Sequence, residues 1–243
     1  MPNYTIERVN LMWNAVAYND SRRFCFLTTT SRWIHPKTYF NNALELHSFI
    51  LKNKVSDVHV KPLDDGNREW IIDADYKNFT SKEDLMLKIN IGATAFLFFY
   101  TPLNVSQILF SGNRGFHIWL KFTDTFKLSS NKEVRENRYK VFVKPNKLDV
   151  NNIKPGSFAY CVRKAVSVYI DKIPKTDVTD LCQLTLLYWP EVDREIFCYS
   201  SKQIRAPFSY NCKGSKFSRC ILNELIEKIQ CFHGYGTCIN SLL

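Results

Sequence analysis

The sequence has no apolar run long enough to read as a membrane span. Its most apolar stretch, IGATAFLFFY, falls far short of the ~20 residues that cross a bilayer as a helix. None of its eight cysteines forms a C-x-x-C pair, and the opening residues, MPNYTIERVN, do not read as a secretion signal. The thiols are therefore expected to be reduced and the chain intracellular, which makes the N-x-[ST] sequons at Asn3, Asn78 and Asn104 chance matches. No repeat, low-complexity tract or linker divides the 243 residues, a length that suits one sizeable domain. Acids are in deficit: 23 Asp and Glu against 33 Lys and Arg leave a net charge of +10. Such a chain suits a polyanion, nucleic acid first, although solubility alone also favours net charge. What is present is apolar and aromatic: 45% hydrophobic and 14% aromatic residues supply a core and argue against disorder.

Helical and strand patterns interleave, which gives an α+β or mixed α/β class. ERVNLMWNAVA places Val9, Trp13 and Val16 on one helical face, and FNNALELHSFILKNK reads as a second helix. RRFCFLTT, SDVHVKPL and REWIIDADY read as strands, the last two joined by the turn DDGN. Ser81 with Asp84 three residues on predicts a capping box for a long apolar helix over roughly 81–99. QILFSGNRGFHIWLKF reads as two strands around a glycine-bearing turn. The stretch 125–156 is basic and less regular. SFAYCVRKAVSVYIDK predicts a buried helix, REIFCYSS a strand, APFSYNCKGSK a loop, and SRCILNELIEKIQCF an amphipathic helix.

Three stretches carry chemistry. In the strand WIIDADY, residues two apart share a face, so Asp73 and Asp75 project side by side and Ala74 turns away. Neighbouring carboxylates repel unless a cation lies between them, and hard divalent ions such as Mg²⁺ take such oxygens. A strand end reaching solvent would tolerate the same pair. In SGNRGFHIWL, Gly112 and Gly115 permit a tight turn and close backbone approach. Arg114 offers a fork suited to phosphate oxygens, and Ser111, Arg114 and His117 can converge on one anion. An ordinary hairpin with a surface Arg and a satisfied His would look the same. In EVDREIFCYSSKQIRAPFS, Asp193 could supply a third carboxylate and Arg205 precedes a proline-fixed loop at Pro207, each unremarkable alone.

Together these stretches resemble the catalytic small subunit of the archaeo-eukaryotic DNA primases. That family carries an apolar strand ending in D-x-D, matched by Asp73 and Asp75. Its S-G-x-R-G-x-H-x-W motif is matched by Ser111, Gly112, Arg114, Gly115, His117 and Trp119. Its third Asp, followed by a basic residue and x-P-F-S, is matched by Asp193, Arg205, Pro207, Phe208 and Ser209, and Arg22 in RRFCF is similar to an early arginine-bearing strand. The resemblance spans roughly residues 10–215. A chain this short, ending soon after the third motif, is most similar to the baculovirus late expression factor primases. Departures are Asn113, where a second basic residue is common, and Asn211, where a His is common. No Cys or His occurs over 76–110, where cellular members carry a zinc cluster. The grouping Cys212, Cys220, Cys231, His233 and Cys238 fits no standard zinc spacing.

The resemblance implies a single primase catalytic domain over 1–243, with motifs within about 22–215 and a C-terminal helix and tail at 216–243. It implies short RNA primers made on single-stranded DNA from nucleoside triphosphates. Two Mg²⁺ or Mn²⁺ ions would be held by Asp73, Asp75 and Asp193, and the triphosphate by Ser111, Arg114, His117 and Arg205. It further implies a non-catalytic accessory subunit in a heterodimer, docked on the 218–232 helix (Leu222, Leu225, Ile226, Ile229) or on the N-terminal segment, unless that helix simply packs in the core. No membrane is expected, and the viral resemblance places the chain in a host nucleus. Rival readings are a primase-fold polymerase that extends existing primers, a non-catalytic single-strand binder, and a metal-dependent nuclease. Clustered acids disfavour the binder, and a nuclease has no need of the S-G-x-R-G-x-H turn.

Overall fold

Capping side chains fix most of the helix starts. In the computed structural model, which describes residues 2–174 and 180–233, α1 (Ile6–Ala15) begins at Thr5, whose hydroxyl accepts from the Arg8 amide. Val9 and Met12 are its buried residues, while Trp13 is half-buried and stacks on Phe24. The chain continues through β1 (Phe24–Thr28), β2 (Trp33–Ile34), α2 (Ala43–Lys52), β3 (Val55–Val60) and β4 (Ile71–Asp75). The predicted capping box starts α3 (Lys82–Asn104). Ser81 Oγ accepts from the Asp84 amide, and the Asp84 carboxylate accepts from the Thr80 amide. The helix runs past the expected 99, across a kink where Thr101 has φ 61 before Pro102. By length and composition α3 could cross a membrane, longer than the apolar run suggested. However, 67% of its most apolar window is buried inside the protein, as suits a core helix.

β5 (Val105–Phe110) and β6 (Gly115–Leu120) form the expected hairpin. The basic stretch after it holds a helix that periodicity did not reveal, α4 (Lys132–Tyr139), capped by Asn131 and carrying the buried Arg135. Next come α5 (Phe158–Val168), capped by Ser157, and α6 (Leu181–Leu187). REIFCYSS is not a strand. Asp193 accepts from the Ile196 amide and starts a short helix, α7 (Arg194–Cys198), so a cap outweighs the strand-like composition. After β7 (Ile204–Arg205), the expected loop contains a small hairpin of β8 (Tyr210–Asn211) and β9 (Lys216–Phe217). β10 (Arg219–Cys220) takes the start of the predicted last helix, and α8 (Leu222–His233) follows.

Two antiparallel four-stranded sheets result, β2-β1-β3-β7 and β10-β5-β6-β4. Period-two alternation divides the second sheet between two cores. Ile72, Ala74, Ile108, Phe116, Ile118 and Leu120 pack with α3, α5 and α8, while Ile71, Leu109 and Trp119 join the first sheet's Phe24, Phe26, Val58 and Val60. Each fully buried Phe or Ile there contributes roughly 1.5–3 kcal/mol. Leu225 and Ile229 of α8 are buried in this core and Leu222 and Ile226 partly so, which leaves that apolar face to core packing rather than to a docking partner. The C-terminal segment therefore supplies an edge strand and a helix to the main fold.

Candidate active site

β4 is apolar for two residues and then acidic on alternate positions, so one face holds Ile71, Asp73 and Asp75. The segment before α7 runs antiparallel along the edge of β4. Ala74 bridges Val192, the Asp75 amide donates to Glu191 O at 3.2 Å, and the Asp193 amide donates to Asp73 O at 2.7 Å. This short pairing brings the third carboxylate beside the first two, 120 residues along the chain from Asp73. Asp193 uses one oxygen to cap α7, so the helix start also orients the acid.

On the neighbouring strand, Asp73 lies opposite His117 and Asp75 opposite Gly115. His117 Nε2 is 3.5 Å from Asp73 Oδ1, and Arg114 Nε is 3.3 Å from Asp75 Oδ2. Burial pushes the Asp73 carboxyl up to about 7, aided by the charges of Asp75 and Asp193 and opposed by Arg205. Burial and then Arg205 hold the His117 imidazole down at about 3, so it is neutral beside Asp73. Gly115 is obligatory: a Cβ there would lie 2.0 Å from Ala74 O and 2.4 Å from Asp75 Oδ1.

Gly112, at φ 84, turns the chain between the strands, and Ser111 Oγ accepts from the Gly115 amide. The β8–β9 hairpin braces this turn. Asn211 Nδ2 donates to Ser111 O at 3.0 Å, and Asn211 Oδ1 accepts from the Lys213 and Gly214 amides. Asn211 is thus a buried structural clamp on the turn. Arg205 reaches the site from the first sheet, pinned by Asp57, whose Oδ1 accepts from Arg205 Nη2 at 3.1 Å and from the Cys212 amide at 3.2 Å.

Asp57 and His59 escaped the sequence reading. Their signal was the alternation in SDVHV, which puts both on the face that carries Arg205, His59 being paired with it. Burial, Arg205 and His117 hold His59 down at about 3, and its Nδ1 is buried without a hydrogen-bond partner. Arg22 lies outside the site: fully buried, it donates to Lys61 O and pairs with Glu69 at 2.5 Å. Among the described residues no group of three or more His, Cys, Asp or Glu closes into a metal cluster. Cys212, Cys220 and Cys231 are exposed thiols, while Cys238 and the His233 side chain lie outside what is described.

The structure thus brings all three predicted acids together with Ser111, Arg114, His117 and Arg205. No protein-family model matches the chain. The polymerase domain of Mycobacterium tuberculosis ligase D, solved in complex with DNA, aligns over 98% of this chain and 92% of its own at a TM-score of 0.46 and 13% identity. Late expression factor 1 of Orgyia pseudotsugata multicapsid polyhedrosis virus is 52% identical over 229 residues, 93% of this chain and 91% of its own. The DNA primase of Autographa californica nuclear polyhedrosis virus is 61% identical over 237 residues, 97% of this chain and 88% of its own. Identity of this extent over nearly the whole length shows that the chain belongs to the baculovirus DNA primase and late expression factor 1 family.

Proposed function

We infer that this protein is the catalytic subunit of a viral DNA primase, a nucleotidyltransferase that makes short RNA primers on single-stranded DNA. Family membership supports the activity. The observation that carries the chemistry is the convergence of Asp73, Asp75 and Asp193 beside the Ser111–His117 turn.

The all-oxygen donor set suits Mg²⁺ or Mn²⁺, and its openness suits an ion that completes its shell with phosphate and water. Asp75 and Asp193 add to burial in raising the Asp73 carboxyl, and a bound cation would offset their charge. Asp73 and Asp75 would hold two ions and Asp193 one of them. When bound, such a pair supplies charge stabilisation to the attacking 3′-oxygen and the departing pyrophosphate. Arg114 would exchange Asp75 for the triphosphate, joined by Ser111 and by an N–H of neutral His117. Arg205, held by Asp57, adds positive charge along the same polyanion. The protein's work is positioning and electrostatics. Ordering two nucleotides at initiation favours a non-catalytic accessory subunit as a partner, and replication of viral DNA places the enzyme in the host nucleus.

The test is primer synthesis on single-stranded DNA with labelled ribonucleotides and Mg²⁺ or Mn²⁺, with and without a co-expressed accessory subunit. Short RNA from wild type and none from Asp73→Ala/Asp75→Ala supports the reading. Products only when a primer is supplied would replace it with a primer-extending polymerase.

A further inference from the structure

The first sheet has one apolar face and one polar face. Phe24, Phe26, Val58, Val60 and Ile204 point into the core. The cross-strand register groups the alternate residues on the other side: Cys25 opposite His59, Leu27 opposite both Asp57 and Trp33, and His59 opposite Arg205. The Lys61 amide donates to Arg23 O, which extends the same face to both of those side chains. Trp33 is 41% exposed, stacks on His35 at 5.9 Å and meets the His59 ring at 5.0 Å.

At the far end of this face, Arg23, His35, Lys61, Asp64 and Gln203 line a cavity of about 500 Å³. Asp64 is paired with Arg23 at 3.1 Å and Asp57 with Arg205, so two acids stand against three cations, and no described acid pairs with Lys61. The near end is Arg205, held by Asp57, whose carboxylate also accepts from the Cys212 amide beside Asn211, the clamp on the Ser111 turn.

We propose that the polar face of the first sheet is the track for the single-stranded template. On this assignment unpaired bases stack on Trp33, and Arg23 and Lys61 take backbone phosphates. The assignment rests on the primase reading and adds the surface that presents the template to the site. Positive charge complements a polyanion. An exposed ring pair on a sheet is a stacking platform for bases that have no partner. Template bases ahead of synthesis are unpaired, whereas product bases are paired with the template, so the platform fits the template strand.

The experiment is fluorescence anisotropy with labelled oligothymidylate and, separately, oligouridylate, over a range of salt, using the full chain. Trp33→Ala should lower affinity for the DNA strand roughly tenfold. Arg23→Ala/Lys61→Ala should lower it further and reduce the salt slope by about 1.4. Exposed Lys140→Ala/Lys144→Ala, remote in sequence from this sheet, serves as the control and should change neither. Melting curves matching wild type confirm that the variants are folded. Unchanged affinity in the face variants, or absence of binding by wild type at low salt, would overturn the proposal. A loss confined to oligouridylate would also overturn it, by moving the face to the RNA strand. Asp73→Asn separates the two levels. If it retains DNA binding but wild type makes no primers, the primase reading fails while the track stands. If wild type makes primers and the face variants bind normally, only the track fails.

Discussion

The two four-stranded sheets place polar residues in opposite ways. The second sheet is buried on both faces at its centre, where β6 is buried along its whole length, and its acids are confined to β4, where Asp73 and Asp75 reach the cleft. The first sheet buries one face and leaves the other polar from Arg23 to Arg205. A carboxylate in mid-strand of a two-sided core would have no compensating partner. The second sheet therefore fixes a few charged groups rigidly, whereas the first buries Cys25 and Asp57 and leaves Trp33 exposed and Arg23, Lys61 and Arg205 half-buried. The difference predicts that substitutions in the second sheet act on chemistry or folding, while those at the accessible residues of the first, Arg23, Trp33 and Lys61, act on binding.

The largest effect should follow Asp73→Ala/Asp75→Ala, with primer synthesis falling by roughly 10³-fold or more because charge stabilisation is the main catalytic contribution. The melting temperature should not fall, since a like-charge contact is removed. A large loss of stability would show that the acids hold the sheet together. Gly115→Ala comes next. Its Cβ cannot coexist with the backbone at Ala74, so β4 and β6 must separate, with a cost of about 2–4 kcal/mol and loss of synthesis. Denaturant unfolding compares it with wild type.

Asp57→Ala tests the join between the sheets. It strands the half-buried Arg205 guanidinium and the Cys212 amide and should cost about 3 kcal/mol. Asp57→Asn keeps an acceptor and should cost less. If synthesis falls in Asp57→Asn while melting is unchanged, Asp57 acts by aiming Arg205.

Much of this was legible in the sequence because the motifs are local. D-x-D, the glycine turn and the alternation of His117 with Trp119 are written within single strands, and period two alone gives their faces. The approach of Asp193 was not legible, since it depends on two backbone bonds to β4 across the fold. REIFCYSS misled because Ile, Phe and Cys favour strands, whereas the cap at Asp193 starts a helix. α4 was hidden because its one buried residue is Arg135, whose guanidinium donates to the carbonyls of Ser129, Phe197, Arg68 and Glu69, so polarity did not report burial.

The smallest effect is also the most diagnostic of the site's electrostatics. Asp73 has a folded pKa of about 7 against an ordinary carboxylate value of 3.8. The folded state therefore binds the proton more tightly than the unfolded chain, so this group's contribution is full below pH 4 and is lost as pH rises through 7. Asp73→Asn removes that loss. Without metal, the variant and wild type should differ little near pH 4, and the variant should be the more stable at pH 8, where wild type must carry a third negative charge beside Asp75 and Asp193. Added Mg²⁺ should close the gap by stabilising wild type and not the variant. Thermal melts at the two pH values, with and without Mg²⁺, make the comparison. An unchanged difference between pH 4 and 8 would mean that Arg205 already offsets the Asp73 charge, which would reassign Asp73 from ion ligand to structural partner.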